Sequence, residues 1–203
     1  MTDSFEDHIY LSDEQVGLMS HIHEPTARRL CNILEHYIGW INRIDKIGPD
    51  FIGPACPENQ VDVEQFTQMR RAAFSRPERI LDFIRENPFS LSDDDLVLAE
   101  PVSRSIWDKF WIVKSTKKFA IFMNESPNAR VYKVIPLSDQ GERNLLSVPL
   151  PLATELALIP IQGKITYDLL IIIMIKPSTI LKKQILSNYN LLKEKYGIIS
   201  SIT

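Results

Sequence analysis

The chain has 203 residues, of which 44% are hydrophobic and 24% are charged, so its composition is that of a globular protein and excludes the disordered and fibrous classes. Its net charge is −3, and its acidic N-terminal residues lack the basic start and the long apolar core of a secretory signal peptide. Two cysteines are too few for a disulfide framework, so we expect a cytoplasmic protein.

The first part of the chain has the pattern of helices. Ser12 and Gln15 have the spacing of a capping box, which predicts the start of a short helix. The strongest helical pattern covers residues 23–48, where apolar side chains recur at three- and four-residue steps behind a first-turn proline. We expect Gly48 to end this helix. A loop with three prolines is predicted at residues 48–60.

Three shorter helices are predicted after this loop. The first covers residues 62–74. The second begins at Ser75, where Glu78 completes another capping box, and it ends before Pro88. The third covers residues 92–101, because three aspartates are favoured at the positive end of a helix.

Farther along the chain, the apolar residues alternate with the period of β-strands. Five strand-like runs are predicted, at residues 110–114, 119–124, 130–137, 153–161 and 165–175. Their short connections favour antiparallel pairing, because parallel strands need long crossovers. A last helix is predicted at residues 178–196, with five of its apolar side chains buried: Ile180, Leu181, Ile185, Leu191 and Leu192.

The fifth run contains seven unbroken apolar residues, 169–175. A helix needs about 20 apolar residues to cross a bilayer, so this run is too short, and we expect no membrane association. A continuous apolar run is typical of a strand that is covered on both faces, whereas Thr166 and Asp168 before it indicate a half-exposed hairpin. The sequence therefore predicts an interior strand.

Together these elements predict an α+β fold. A helical N-terminal half packs against an antiparallel sheet of about five strands, and a C-terminal helix covers one face of that sheet. We assign residues 1–90 to the helical region and residues 91–203 to the sheet with its C-terminal helix, and we expect the two to form one compact unit.

The common catalytic signatures are absent from the sequence. It contains no Gly-x-Gly or Walker loop, no Gly-x-Ser-x-Gly elbow, no Cys-x-x-Cys pair and no His-Glu-x-x-His motif. Rossmann dehydrogenases, P-loop hydrolases, zinc ribbons and zincin proteases are therefore poor candidates, and we expect no cofactor. Enzymes with a dispersed site stay open.

Two carboxylates are candidates for catalysis. Asp168 precedes the apolar run, so it could be desolvated and act in general acid–base chemistry, with Glu155 as a second acid. This pair would suit a metal-dependent hydrolase or nuclease. The alternative for Asp168 is a surface ion pair with Lys164 in the same hairpin.

Three histidines are candidate metal ligands. His21 and His23 could chelate an ion if the chain is extended there, and His36 could join them if two helices pack as an antiparallel pair. The alternative is that His21 and His23 lie on an exposed helix end, where a protonated imidazole suits the negative dipole.

The charges are unevenly divided along the chain. Residues 1–100 carry 19 acidic and 9 basic residues, whereas residues 101–203 carry 7 acidic and 14 basic ones. Basic residues on the strands are interleaved with aromatic ones, as in a single-strand-binding surface, and the candidates are Lys114, Lys117, Lys118, Arg130 and Lys133. The alternative is that these lysines prevent edge pairing, and a pI of about 5.8 is unlike that of a dedicated binder.

The sequence thus favours a non-catalytic macromolecule-binding or regulatory protein, with a protein partner or a second copy of the chain as its target. The first alternative is a metal-dependent hydrolase or nuclease with a dispersed site. The second alternative is a nucleic-acid-binding protein that uses the basic strands.

Overall fold

The structure is a computed structural model, and it describes residues 22–49, 63–137, 149–168, 171, 173–175 and 177–203. The helix predicted to start at Ser12 lies outside the described residues, which begin at residue 22. Most of the loop predicted at residues 48–60 also lies outside them.

Four α-helices are described in the N-terminal half of the chain: α1 (Glu24–Asp45), α2 (Val63–Phe74), α3 (Ile80–Glu86) and α4 (Asp93–Ala99). Two 3₁₀ segments accompany them, Pro77–Arg79 before α3 and Glu100–Arg104 after α4. Ser92 accepts a hydrogen bond from the Asp95 amide and caps α4, next to the three aspartates in its first turn.

The end of α1 differs from the prediction. The helix stops at Asp45, and Lys46 takes the left-handed conformation with a φ of 52°. The side chain of Asn42 then accepts a hydrogen bond from the Gly48 amide at 2.9 Å. A Cβ atom at Gly48 would lie 2.9 Å from Cε of Met69, the end of a flexible side chain, so a larger residue there would require that methyl group to shift.

The capping box predicted at Ser75 is wrong. The hydroxyl of Ser75 donates to the carbonyl of Ala72 at 3.4 Å, and the next N-cap position is Arg76, which makes no side-chain capping bond. The chain turns through Pro77–Arg79 as a 3₁₀ segment before α3 begins, so Glu78 lies inside that segment.

In the described part of the chain the sheet contains six strands: β1 (Ile106–Ser115), β2 (Ala120–Asn124), β3 (Val131–Val134), β4 (Leu152–Ile161), β5 (Lys164–Tyr167) and β6 (Ile173–Ile175). Five of them follow the order β3-β2-β1-β4-β5, and every neighbouring pair is antiparallel. β6 pairs with β4 as well, also antiparallel. The prediction of an α+β fold with an antiparallel sheet is confirmed.

The two ends of the sheet approach each other. The amide of Ile135, just after β3, donates to the carbonyl of Ile165 in β5 at 2.8 Å, and the Thr166 hydroxyl donates to the carbonyl of Ile135 at 2.9 Å. The outer edge of β3 is also covered by the C-terminal residues, where Ile199 exchanges two 2.8 Å backbone hydrogen bonds with Val131 and Lys133. The sheet is therefore strongly curled. The backbone groups at the outer edge of β3 are paired where the C-terminal residues run beside it.

The described residues form three apolar clusters. The first lies inside the curled sheet and includes Phe110, Phe122 and Leu158. The second joins the four N-terminal helices to the outer side of β4, where Ala157 and Ile159 lie. The third lies between the outer face of β1–β3 and the C-terminal helix. Alternate residues of β4 serve different clusters, as the two-residue period of a strand requires.

The predicted fifth strand is two strands, β5 and β6. Leu158 in β4 pairs with Tyr167 in β5, and Ala153 in β4 pairs with Ile175 in β6. The two positions are five residues apart along β4 but eight residues apart between β5 and β6, so the ladder is interrupted there. Thr166 and Asp168 are both buried, so the expectation of a half-exposed hairpin is wrong. Thr166 is covered because β5 meets the end of β3, and Asp168 because α2 packs over it.

The C-terminal helix, α5 (Thr179–Tyr196), follows Ser178, whose side chain accepts a hydrogen bond from the Leu181 amide, and it ends before Gly197, whose φ is 74°. Its burial differs from the prediction. Ile185 is buried, but Ile180 and Leu191 are 73% and 61% exposed. The helix therefore touches the sheet along a narrow stripe and leaves much of its apolar surface uncovered.

Replacement of Ile199 by proline tests the pairing of the C-terminal residues with β3. Proline removes the amide that donates to Val131, so we expect the free energy of unfolding to fall by about 1–3 kcal/mol. Ile199→Val keeps the amide and serves as the control. Urea unfolding measures both variants, and equal stabilities would contradict the described pairing.

Candidate functional site

An arginine–aspartate pair is buried between α2 and the sheet. Nε and Nη2 of Arg70 donate to the two carboxylate oxygens of Asp168, each at 2.7 Å. Both side chains are 0% exposed. Two parallel hydrogen bonds to a carboxylate are the strongest arrangement open to an arginine, and they fix both side chains.

Asp168 also takes part in the sheet at the point where β5 ends. Its amide donates to the carbonyl of Ala157 at 3.0 Å, and its Oδ1 accepts from the Ala157 amide at 3.3 Å. The side chain thus supplies the acceptor that a backbone carbonyl would supply in a regular ladder. The carboxylate therefore accepts hydrogen bonds both from Arg70 on α2 and from the Ala157 amide in β4.

Burial raises the pKa of Asp168 from 3.8 to about 6, although the charge of Arg70 and the hydrogen bonds act in the opposite direction. The carboxylate is therefore ionised at neutral pH but takes up a proton in mildly acidic solution.

A second arginine–carboxylate pair lies beside the first. Arg71 donates to both oxygens of Glu155, at 3.1 and 2.6 Å, and Nε1 of Trp107 donates to Glu155 Oε1 at 3.2 Å. The guanidinium carbon of Arg70 lies 5.8 Å from the centre of the Trp107 ring. Trp107 therefore touches both pairs.

The structure thus brings together the two carboxylates that the sequence singled out, but it gives each its own arginine. A carboxylate that is held by two guanidinium hydrogen bonds has little capacity left for a metal ion or for a substrate proton. The arrangement is one that fastens α2 to the sheet.

The sequence reasoning overlooked both arginines. Arg70 lies four residues after Phe66 and four before Phe74, so it falls on the apolar stripe of α2. A charged residue on such a stripe needs a buried partner, and this was the available signal.

The two candidate histidines in the described residues, His23 and His36, do not lie together. His21 lies outside the described residues, and His23 is exposed directly before α1. His36 is thirteen residues farther on, about 20 Å along the helix axis. Its ring stacks on Phe89 with centroids 4.4 Å apart, and burial lowers its pKa. In the part of the chain that the structure describes, no three His, Cys, Asp or Glu side chains are placed to hold a metal ion.

Four of the five basic candidates lie at one end of the sheet. Lys114, Lys117, Lys118 and Lys133 are all exposed there, and we call them the lysine surface. Arg130 lies at the opposite end of β3, where its guanidinium carbon is 4.0 Å from the centre of the Tyr196 ring.

A groove of about 720 Å³ lies between α5 and the part of the sheet formed by Trp111 in β1 and the C-terminal end of β2. We call it the α5 groove. Its apolar lining consists of Trp111, Met123, Leu181, Ile185, Leu191 and Leu192. The other lining residues are small or polar, and Glu125 is the charged one among those described. A concave apolar surface with a few polar groups is the usual form of a binding site.

No family model matches the chain, and neither a curated protein nor a solved structure matches it. None of the helices in the described residues has the length and apolar character that crossing a membrane requires.

The raised pKa of Asp168 predicts how stability depends on pH. Because the folded state holds the Asp168 proton more tightly than the unfolded state does, the contribution of this group is largest below pH 4 and is lost as pH rises through about 6. We expect the unfolding free energy of the wild type, minus that of Asp168→Asn, to fall by about 2 kcal/mol between pH 4 and pH 7.

Asp45→Asn is the control, because hydrogen bonds from Arg79 lower the pKa of Asp45 and its contribution is lost as pH falls. The corresponding difference should stay nearly constant between pH 4 and pH 7, because a carboxyl whose pKa is lowered from 3.8 loses its contribution only in more acidic solution. Chemical denaturation across this pH range measures both differences. Parallel curves for the wild type and Asp168→Asn would contradict the account of Asp168.

Proposed function

We propose that this chain is a non-catalytic protein that binds a segment of another protein in the α5 groove. The observation that carries this proposal is the exposure of apolar side chains on α5, with Leu191 61% exposed at the mouth of the groove. Exposed apolar side chains that continue into a concave apolar surface are typical of interaction sites.

The state of the carboxylates supports a binding role over a catalytic one. Asp168 and Glu155 are each held by an arginine, and this leaves the hydrolase or nuclease alternative without a free acid at this position. Both pairs instead stabilise the contact between α2 and the sheet on which the groove is built.

The chemistry of the groove favours an amphipathic segment as its occupant. Leucine or other aliphatic side chains fit the apolar lining, and a helix with one apolar face meets such grooves with side chains at three- and four-residue steps. The helix α5, which forms one wall of the groove, is basic, since it carries four lysines and one glutamate: Lys182, Lys183, Lys193, Lys195 and Glu194. An acidic outer face on the partner segment would complement this charge.

The same charge argues against a second copy of the chain as the occupant. Two copies that meet through α5 would bring their lysines together, and like charges that face each other across an interface are unfavourable. A different protein with an acidic, amphipathic segment is therefore favoured over a homodimer.

A synthetic amphipathic peptide with leucines on one face and glutamates on the other is the probe for this proposal. We expect it to shift the NMR signals of Trp111 and Met123, which line the groove. Leu191→Asp places a charge at an exposed site of the groove and should weaken binding roughly tenfold, while folding is retained.

Val97→Asp is the matched control, since it adds the same charge at a site on α4 that is 74% exposed. It should bind the peptide like the wild type. The proposal fails if the peptide leaves the groove signals unchanged, or if both variants bind equally. Concentration-dependent dimerisation that Leu191→Asp abolishes would instead identify a second copy as the occupant.

A further inference from the structure

We propose that the lysine surface, together with the adjoining flank of α5, binds single-stranded nucleic acid. This site lies on the other side of α5 from the α5 groove, and it contains none of the residues that line the groove.

A β-bulge in β1 turns Lys114 towards this surface. Ile112 pairs with Phe122 and packs inside the sheet, but the register then shifts and Lys114 pairs with Ile121, which faces α5. In a regular strand, residues 112 and 114 would point to the same side. The bulge therefore moves the Lys114 side chain from the interior face to the outer face.

Lys133 reaches the same face from β3. It pairs with Ile121 on the side opposite to Lys114, so the two lysines lie two strand spacings apart, about 10 Å. The Lys133 Nζ atom lies 5.0 Å from the centre of the half-buried Phe119 ring. The exposed Lys117 and Lys118 are in the turn just before Phe119.

The flank of α5 completes the surface. Helical spacing places Lys182, Tyr189 and Lys193 on one side of the helix, away from the residues that line the α5 groove. Tyr189 and Phe119 both pack against the apolar cluster between α5 and the sheet. Six lysines thus gather around two half-buried aromatic rings.

None of these six lysines forms an ion pair with a carboxylate in the described ranges of the chain. Unpaired ammonium groups attract a polyanion, and aromatic rings that are only partly buried can stack on unpaired bases. An acidic peptide would use the charges but gain little from the rings. The combination therefore favours single-stranded nucleic acid over an acidic protein.

The test measures the affinity of a short fluorescent single-stranded DNA of mixed sequence at several salt concentrations. We expect Lys114→Gln with Lys133→Gln to lower the affinity at least tenfold at low salt. The slope of log affinity against log salt should decrease by about 1.4, since each contact between a lysine and a single-strand phosphate contributes about 0.7. Phe119→Leu keeps an apolar side chain and should weaken binding roughly tenfold through lost stacking.

The matched control is Lys109→Gln with Arg28→Gln, which removes two exposed positive charges elsewhere and should bind like the wild type. Thermal unfolding checks that every variant is folded. The proposal is wrong if the wild type does not bind the DNA at low salt, or if the control loses as much affinity as Lys114→Gln with Lys133→Gln. It is also wrong if a poly-glutamate peptide of the same charge binds as tightly as the DNA, because the surface would then serve an acidic protein.

Discussion

The buried ion pair between Arg70 and Asp168 is the interaction on which the arrangement of the helices and the sheet depends. Removing two charges from water costs several kcal/mol for each ion, and only good geometry recovers this cost. The two 2.7 Å hydrogen bonds and the amide of Ala157 provide that geometry. They can all form only if α2 lies over the end of β5, so the pair sets the position of the helical layer.

The C-terminal helix is held in a different way. α5 contacts the outer face of the sheet through Ile185 and its partly buried neighbours, and no buried ion pair fixes it in the described residues. The N-terminal helices already cover β4, so the outer face of β1–β3 is where a partner can approach the sheet. The α5 groove and the lysine surface lie on the two sides of this one helix. The N-terminal helices are therefore firmly attached to the sheet, whereas the face around α5 exposes the apolar and basic side chains that suit binding.

Much of the fold followed from local patterns in the sequence. Apolar periodicity predicted α1, α2 and α5 and the strand regions, because burial of one face repeats along each element. The exposure of Ile180 and Leu191 was not predictable, since periodicity shows which side chains share a face but not how much of that face is covered. The burial of Asp168 depends on its pairing with Arg70, ninety-eight residues away, and a local pattern contains no such partner. The same applies to Glu155 and Arg71.

Double-mutant unfolding at pH 7 tests the role of the Arg70–Asp168 pair most directly. Arg70→Met should lower the free energy of unfolding by about 3–5 kcal/mol, because it leaves a buried carboxylate without its partner. Adding Asp168→Asn to that variant removes the uncompensated charge and keeps an acceptor for the Ala157 amide, so the double variant should be more stable than Arg70→Met alone. If instead the second substitution destabilises the protein further, and the two effects simply add, the pair does not hold the helices to the sheet.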